Sequence, residues 1–378
     1  MTRQISDSVP AYIREIRLAL PPTGAGPDGT IAPELTQLGA NENPLGPSPL
    51  AVEAARKALA ASNRYAEDNG PQLRRELARR HNLPIDQITL GAGATELIYL
   101  AAQLLLRPGD AGVTSYGSFP LYYIAIRSTG ARLIETPLRD YRYDLDAIAQ
   151  TLSAETKLVF LANPNNPTGT MFTADEFDSF LARVPDHVLI VLDEAYCDYV
   201  ERPDYSRSID IVKRRGNLLV LRTFSKVYGL AGLRIGYGLG PAALLQELNK
   251  IRAPFNTSGV AQAAALAALD DREHVRRSID ANNAGLAQIA DGLKELGIRG
   301  VPSVANFILA EFGYDTEPLS EELAKRGVIV RPMRSMGFPQ AIRVSVGTRV
   351  ENERFLTTLA DVHASFAGRK TETQTAKQ

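Results

Sequence analysis

From about residue 85 to residue 240, short runs that are apolar at nearly every position alternate with longer runs of helical period. The runs at Gly112–Ser115, Arg132–Leu138, Lys157–Asn163, Val188–Ala195, Asn217–Phe224 and Leu233–Gly238 predict strands. Between them TADEFDSFLARV places Phe177, Leu181 and Val184 on one helical face. KLVFLAN and VLIVLDEAY lack the in-out alternation of a half-exposed strand, as expected of strands buried on both faces. The alternation therefore predicts an α/β fold, a large mostly parallel sheet with helices on both faces. Beyond it the pattern changes. Asn256–Asp270 reads as an Ala-rich helix and Asp271–Gly297 as a long polar helix with an apolar stripe. A smaller α/β unit follows: NFILAEF, a helix at Pro318–Arg326, VIVRPM, AIRVSVGT and a last helix over Val350–Phe366. The expected division is an N-terminal arm (1–32), a large domain (33–262), a small C-terminal domain (263–368) and a tail (369–378). The tail has almost nothing to bury and is expected to be disordered.

Composition narrows the function classes. A chain of 378 residues with 44% hydrophobic residues can fill two cores. Lys plus Arg total 42 against 43 Asp plus Glu, so there is no basic footprint for a nucleic-acid partner. Cys197 stands alone and the histidines at 81, 187, 274 and 363 lack ligand spacing, which argues against a disulfide framework and a metal site. LIYLAAQLLL is broken by Gln103 and falls short of the ~20 residues of a membrane span. MTRQISDSVP carries no signal-type apolar stretch, so a cytoplasmic protein without a membrane partner is expected.

In open α/β sheets, ligands bind beyond the carboxyl ends of the strands. There Thr223-Phe224-Ser225-Lys226 follows one apolar run, and a lysine so placed is either a solvated loop residue or a desolvated amine nucleophile. Asp193 ends VLIVLD with Tyr196 three residues on; the carboxylate suits a helix cap, a metal or a buried cation such as a protonated ring nitrogen. Asn163-Pro164-Asn165-Asn166-Pro167-Thr168-Gly169 predicts a tight turn, which either closes the chain or aims an amide into the cleft. Leu90-Gly91-Ala92-Gly93-Ala94-Thr95-Glu96 opens a helix whose N–H groups can face a phosphate, without the lysine of a P-loop.

NNPTG, DEAY, TFSK and GLAGLRIGY, in that order and spacing, resemble the pyridoxal-phosphate aminotransferases of fold type I. GANENPLGPS, NRYAEDNG, VRPM and IRVSVGT are similar to segments of their histidinol-phosphate aminotransferase group, and the resemblance runs from about residue 40 to 348. It implies a ping-pong amino transfer from histidinol phosphate to 2-oxoglutarate in histidine biosynthesis, with pyridoxal 5'-phosphate as cofactor. Lys226 is implied as the amine that holds the cofactor and shuttles the proton, with Asp193 keeping the ring nitrogen protonated. Tyr196 and Asn166 would reach the phenolic oxygen and Phe119 would stack on the ring. Ala94, Thr95, Thr223, Ser225 and Arg234 would hold the phosphate, together with Tyr65 from the second subunit of a homodimer. Arg343 and Arg331, with Asn166, would bind the anionic group of the amino donor or 2-oxo acid. In one place the chain departs from the group: its N-terminal arm, LALPPTGAGPDG, has no tyrosine beyond Tyr12 to close over the substrate. An aromatic or other amino-acid aminotransferase, a decarboxylase of a phosphorylated amino acid and a non-catalytic relative are the competing readings.

Overall fold

A computed structural model describes residues 5–16 and 35–375, with side chains, other than that of Asp7, as far as Phe366. The arm segment LALPPTGAGPDG lies outside the described residues. Seven strands form the main sheet: β1 (Ile88–Gly91), β2 (Ala111–Ser115), β3 (Arg132–Thr136), β4 (Thr156–Ala162), β5 (Leu189–Asp193), β6 (Leu218–Thr223) and β7 (Gly236–Leu239). Their order is β1-β7-β6-β5-β4-β2-β3. β7 runs antiparallel to β1 and β6, and the other neighbours are parallel. Every residue of β5 is buried, and in β4 Leu158–Ala162 are buried too, so the uniformly apolar pattern reflects a sheet covered on both faces. The covering helix Ala174–Leu181 starts with a capping box in which Thr173 and Glu176 satisfy each other's backbone N–H groups.

A second, antiparallel sheet holds β8 (Arg299–Gly300), β9 (Phe307–Glu311), β10 (Arg331–Met333) and β11 (Phe338–Ser345) in the order β8-β9-β11-β10. Besides two smaller clusters around Phe307 and Met333, two large hydrophobic cores result among the described residues. One gathers residues between Ala51 and Leu269; the other takes Leu38 and residues between Ile289 and Val362. A boundary at residue 262 therefore cuts the helix Gly259–Ala268, whose Ala261, Ala264, Ala265 and Ala268 are buried in the first core. Thr36–Gln37 pairs with Val328–Ile329, so this stretch packs with the smaller unit although the sequence pattern assigned it to the larger. The last helix runs Arg349–Thr375, carrying the chain helically past the expected end at Phe366 and into the tail expected to be disordered. Among the described residues no helix is long and apolar enough to cross a membrane.

The long helix Arg272–Glu295 buries His274, Ser278 and Asn282 before Ile289 and Leu293. Its stripe is thus polar where the two units meet: Ser278 Oγ accepts from Asn43 Nδ2 at 2.9 Å, and Asn282 Nδ2 donates to the Ala305 carbonyl at 3.1 Å. From Leu38 the chain crosses between the units, and Ala40, Asn41 and Glu42 line the cavity left there.

Candidate active site

That cavity has a volume of about 320 Å³ and lies beyond the carboxyl ends of β4, β5 and β6. Asp193 ends β5 and is buried. Its Oδ2 accepts from the Tyr122 hydroxyl at 2.8 Å and its Oδ1 from the Ala195 N–H at 3.0 Å. Burial nevertheless dominates and pushes its pKa up to about 6, which the Tyr122 and Ala195 donors and the Lys226 cation only partly offset. A carboxylate in that condition favours an apposed cation.

Lys226 enters from the turn after β6. Its Nζ donates to the carbonyls of Asn41 (3.2 Å) and Ala40 (3.4 Å) and lies 5.5 Å from the centre of the Tyr196 ring. Loss of hydration, with the Arg343 and Arg234 cations adding to it against Glu42 and Asp193, brings its pKa down to about 8. An amine with that proton affinity has an appreciable neutral fraction near pH 7 and can attack a carbonyl or accept a proton.

The Asn-Pro turn after β4 uses most of its amides internally. Asn163 exchanges two hydrogen bonds with the Phe172 backbone, at 3.1 Å each. Asn165 donates to Thr168 Oγ1 (2.8 Å) and Gly117 O (3.2 Å) and accepts from Ser118 (2.8 Å). Asn166 is the residue turned to the cavity, where its Oδ1 accepts from Arg343 Nη1 at 2.6 Å. Arg343 Nη2 donates to the Gly39 carbonyl at 2.7 Å, and its Nε is buried without a partner. Arg343 and Arg331 face each other in register across β11 and β10, which puts two guanidinium groups at one wall. Burial brings Arg343 down to about 10, so it remains a cation at neutral pH.

The same cavity holds a cradle for an anion. It consists of the first turn of the helix Gly93–Leu105 with Ala94 and Thr95, the hydroxyls of Thr223 and Ser225, and Arg234. Arg234 Nη1 donates to Ser225 Oγ at 3.3 Å, and Thr223 Oγ1 donates to the same atom at 3.0 Å. Two glycines keep it open. A Cβ on Gly93, which adopts φ +72°, would lie 2.5 Å from Arg234 Nη2, and one on Gly236 would lie 2.7 Å from the Ala94 nitrogen. The N–H groups of a first helical turn, the helix dipole and a guanidinium together suit a phosphate. Phe119 forms a cavity wall.

The sequence model of the family described as Aminotransferase class I and II matches residues 33–359. The chain belongs to the aminotransferase class I and II family. This aminotransferase is 44% identical over 330 residues to histidinol-phosphate aminotransferase 1 of Nitrosococcus oceani, covering 87% of this chain and 89% of that one. It is 45% identical to histidinol-phosphate aminotransferase 2 of Pseudomonas aeruginosa over the same shares. Among solved structures, the histidinol-phosphate aminotransferase of Sinorhizobium meliloti in complex with pyridoxal-5'-phosphate is similar, with a TM-score of 0.87 and 29% identity over 94% of this chain and 97% of that one.

The structure brings Lys226, Asp193, Tyr196, Asn166, Phe119, Ala94, Thr95, Thr223, Ser225, Arg234, Arg331 and Arg343 of this aminotransferase into one cavity. Tyr65 is not among them: it is 82% exposed and stacks on Phe255 with ring centres 4.4 Å apart. Tyr12 lies beside Gly130 and does not line the cavity. Among the cavity residues without a sequence assignment, Tyr122 and Asn41 hold groups of the site in place. Tyr122 stands three residues beyond Phe119 in the same SFPLY segment, and helical spacing was the signal that would have found it. Asn41 lies in the quoted GANENP segment at φ +55° and ties three elements together. It donates to the Tyr196 hydroxyl at 2.9 Å, exchanges two bonds with Ser345 and offers its carbonyl to Lys226.

Proposed function

We propose that this aminotransferase works with pyridoxal 5'-phosphate and moves the amino group of histidinol phosphate to 2-oxoglutarate in histidine biosynthesis, as a cytoplasmic homodimer. The observation that carries this reading is one cavity lined by a phosphate cradle, the buried carboxylate of Asp193, two paired arginines and Lys226. When bound, pyridoxal phosphate supplies an aldehyde that takes up the amino group and a ring that accepts the electrons left when the Cα proton departs.

The protein's residues supply the rest. Ala94, Thr95, Thr223, Ser225 and Arg234 bind the phosphate, and glycine at 93 and 236 leaves room for it. Asp193 holds a proton on the ring nitrogen, and the pairing relieves the burial that raises its own pKa. Phe119 fixes the ring plane, while Asn166 and Tyr196 orient the phenolic oxygen. Lys226 Nζ would hold the cofactor through its aldehyde carbon and, once the substrate amine has displaced it, would be the base that takes the Cα proton and delivers it to that former aldehyde carbon. Arg343, with Asn166, and Arg331 orient the substrate through its carboxylate or phosphate, each a planar fork matched to an oxyanion. Tyr65, exposed on this chain, is proposed to reach the phosphate of the second subunit's site.

Borohydride reduction of the purified protein followed by peptide mapping tests the cofactor assignment, with the label expected on Lys226. A panel of amino donors, scored by conversion of the bound cofactor to its amine form and by release of carbon dioxide, tests the substrate. Histidinol phosphate is expected to convert it fastest without carbon dioxide. A label elsewhere, or carbon dioxide as the main product, would overturn the proposal.

A further inference from the structure

Resting on the proposed cofactor chemistry, we infer that Tyr122 is a positioning residue that fixes the Asp193 carboxylate and keeps the proton on the cofactor's ring nitrogen. The Tyr122 side chain is 1% exposed and held on three sides. Its ring stacks on Phe160 at 5.0 Å with planes 7° apart, meets Phe119 edge-on at 5.6 Å, and its hydroxyl donates to Asp193 Oδ2 at 2.8 Å. One rigid ring therefore touches both the group proposed to face the ring nitrogen and the group proposed to stack on the ring.

The physical reasoning concerns where one proton resides. Asp193 and an apposed pyridine nitrogen share it, either as carboxylate with pyridinium or as carboxylic acid with pyridine. A phenolic O–H aimed at the carboxylate stabilises its anion, as does the Ala195 N–H on the other oxygen, and both favour the charged pair. The other titratable groups facing Asp193 are Lys226, which stabilises its anion, Glu194, which opposes it, and Tyr143 and Tyr196, themselves buried. The phenolic donor is neutral and fixed by packing, so it acts without competing for the shared proton.

The test uses the loaded enzyme with the ring nitrogen labelled as 15N, read by its chemical shift. Tyr122→Phe keeps the ring contacts and removes the donor. It is expected to shift the nitrogen toward its unprotonated signal, with a tenfold or larger fall in the protonated-to-unprotonated ratio. The single-turnover half-reaction is expected to slow by a similar factor at nearly constant substrate KM. In the Asp193→Asn background the same change is expected to add nothing. If Tyr122→Phe fails to fold, a ring-fluorinated tyrosine at position 122, a stronger donor of nearly the same shape, is expected to move the signal the opposite way. A folded variant with unchanged nitrogen shift, or equal effects with and without Asp193, overturns the inference. Failure of the wild type to carry the cofactor on Lys226 overturns instead the function on which it rests.

Discussion

Asp193→Asn in the cofactor-free protein isolates the cost of holding a carboxylate in the cavity. Folding raises Asp193 from the ordinary aspartate range to about 6, because burial outweighs the help of Tyr122, Ala195 and Lys226. Between pH 4 and 6 the folded state then binds more protons at this site than the unfolded chain. Stability contributed there is complete below the unfolded pKa and falls as pH rises to the folded one. A shift of roughly two pH units at about 1.4 kcal/mol each makes the fall about 3 kcal/mol. Asparagine keeps the shape and an acceptor for Tyr122 but never ionises. Urea melts of wild type and variant, compared pH by pH so that other groups cancel, are expected to diverge by about that amount between pH 4 and 7, with the variant gaining. Loading the cofactor is expected to reverse the ordering at neutral pH, since a ring cation then favours the carboxylate. Parallel stability curves in the cofactor-free proteins would refute the reasoning, because they would mean Asp193 is as well solvated as an ordinary surface aspartate.

Arg343→Lys keeps a cation but loses the fork that serves Asn166 and Gly39 together, so the KM for an anionic substrate is expected to rise about 10- to 100-fold, corresponding to one charge-assisted hydrogen bond of ~1.5–3 kcal/mol. Half-reaction kinetics check it, and an unchanged KM would count against the arginine wall. Gly236→Ala places a methyl 2.7–2.8 Å from Ala94 N, Gly93 C and Arg222 O, all backbone atoms, and is expected to cost about 1–3 kcal/mol and weaken inorganic phosphate binding. Gly232→Ala, with open space around its Cβ, serves as the neutral control, and equal melting shifts in the two variants would sink the cradle argument.

What could be seen in the sequence, and what could not, follows from the range of the interactions involved. β4, β5 and β6 were legible because burial on both faces makes every position apolar, and Asn166, Asp193 and Lys226 stood out as polar groups where those runs stop. β1 was read only as the opening of a helix: its four residues, ITLG, run straight into the glycine turn and are too few to show a period. The antiparallel direction of β7 leaves no trace in a uniformly buried strand. The domain break was misplaced because the Ala-rich helix Gly259–Ala268 packs on Pro49–Leu59, a partner some 200 residues away. Tyr122 and Asn41 fall in the same class. Each acts through a residue distant in sequence, Asp193 for one and Tyr196 with Ser345 for the other; helical spacing sets Tyr122 beside Phe119 but does not show what its hydroxyl meets. The groups proposed for chemistry interrupt a hydrophobic pattern and so announce themselves. Tyr122 belongs to that pattern as a buried aromatic on a helix, and only the packing of separate elements shows which buried aromatic holds a carboxylate.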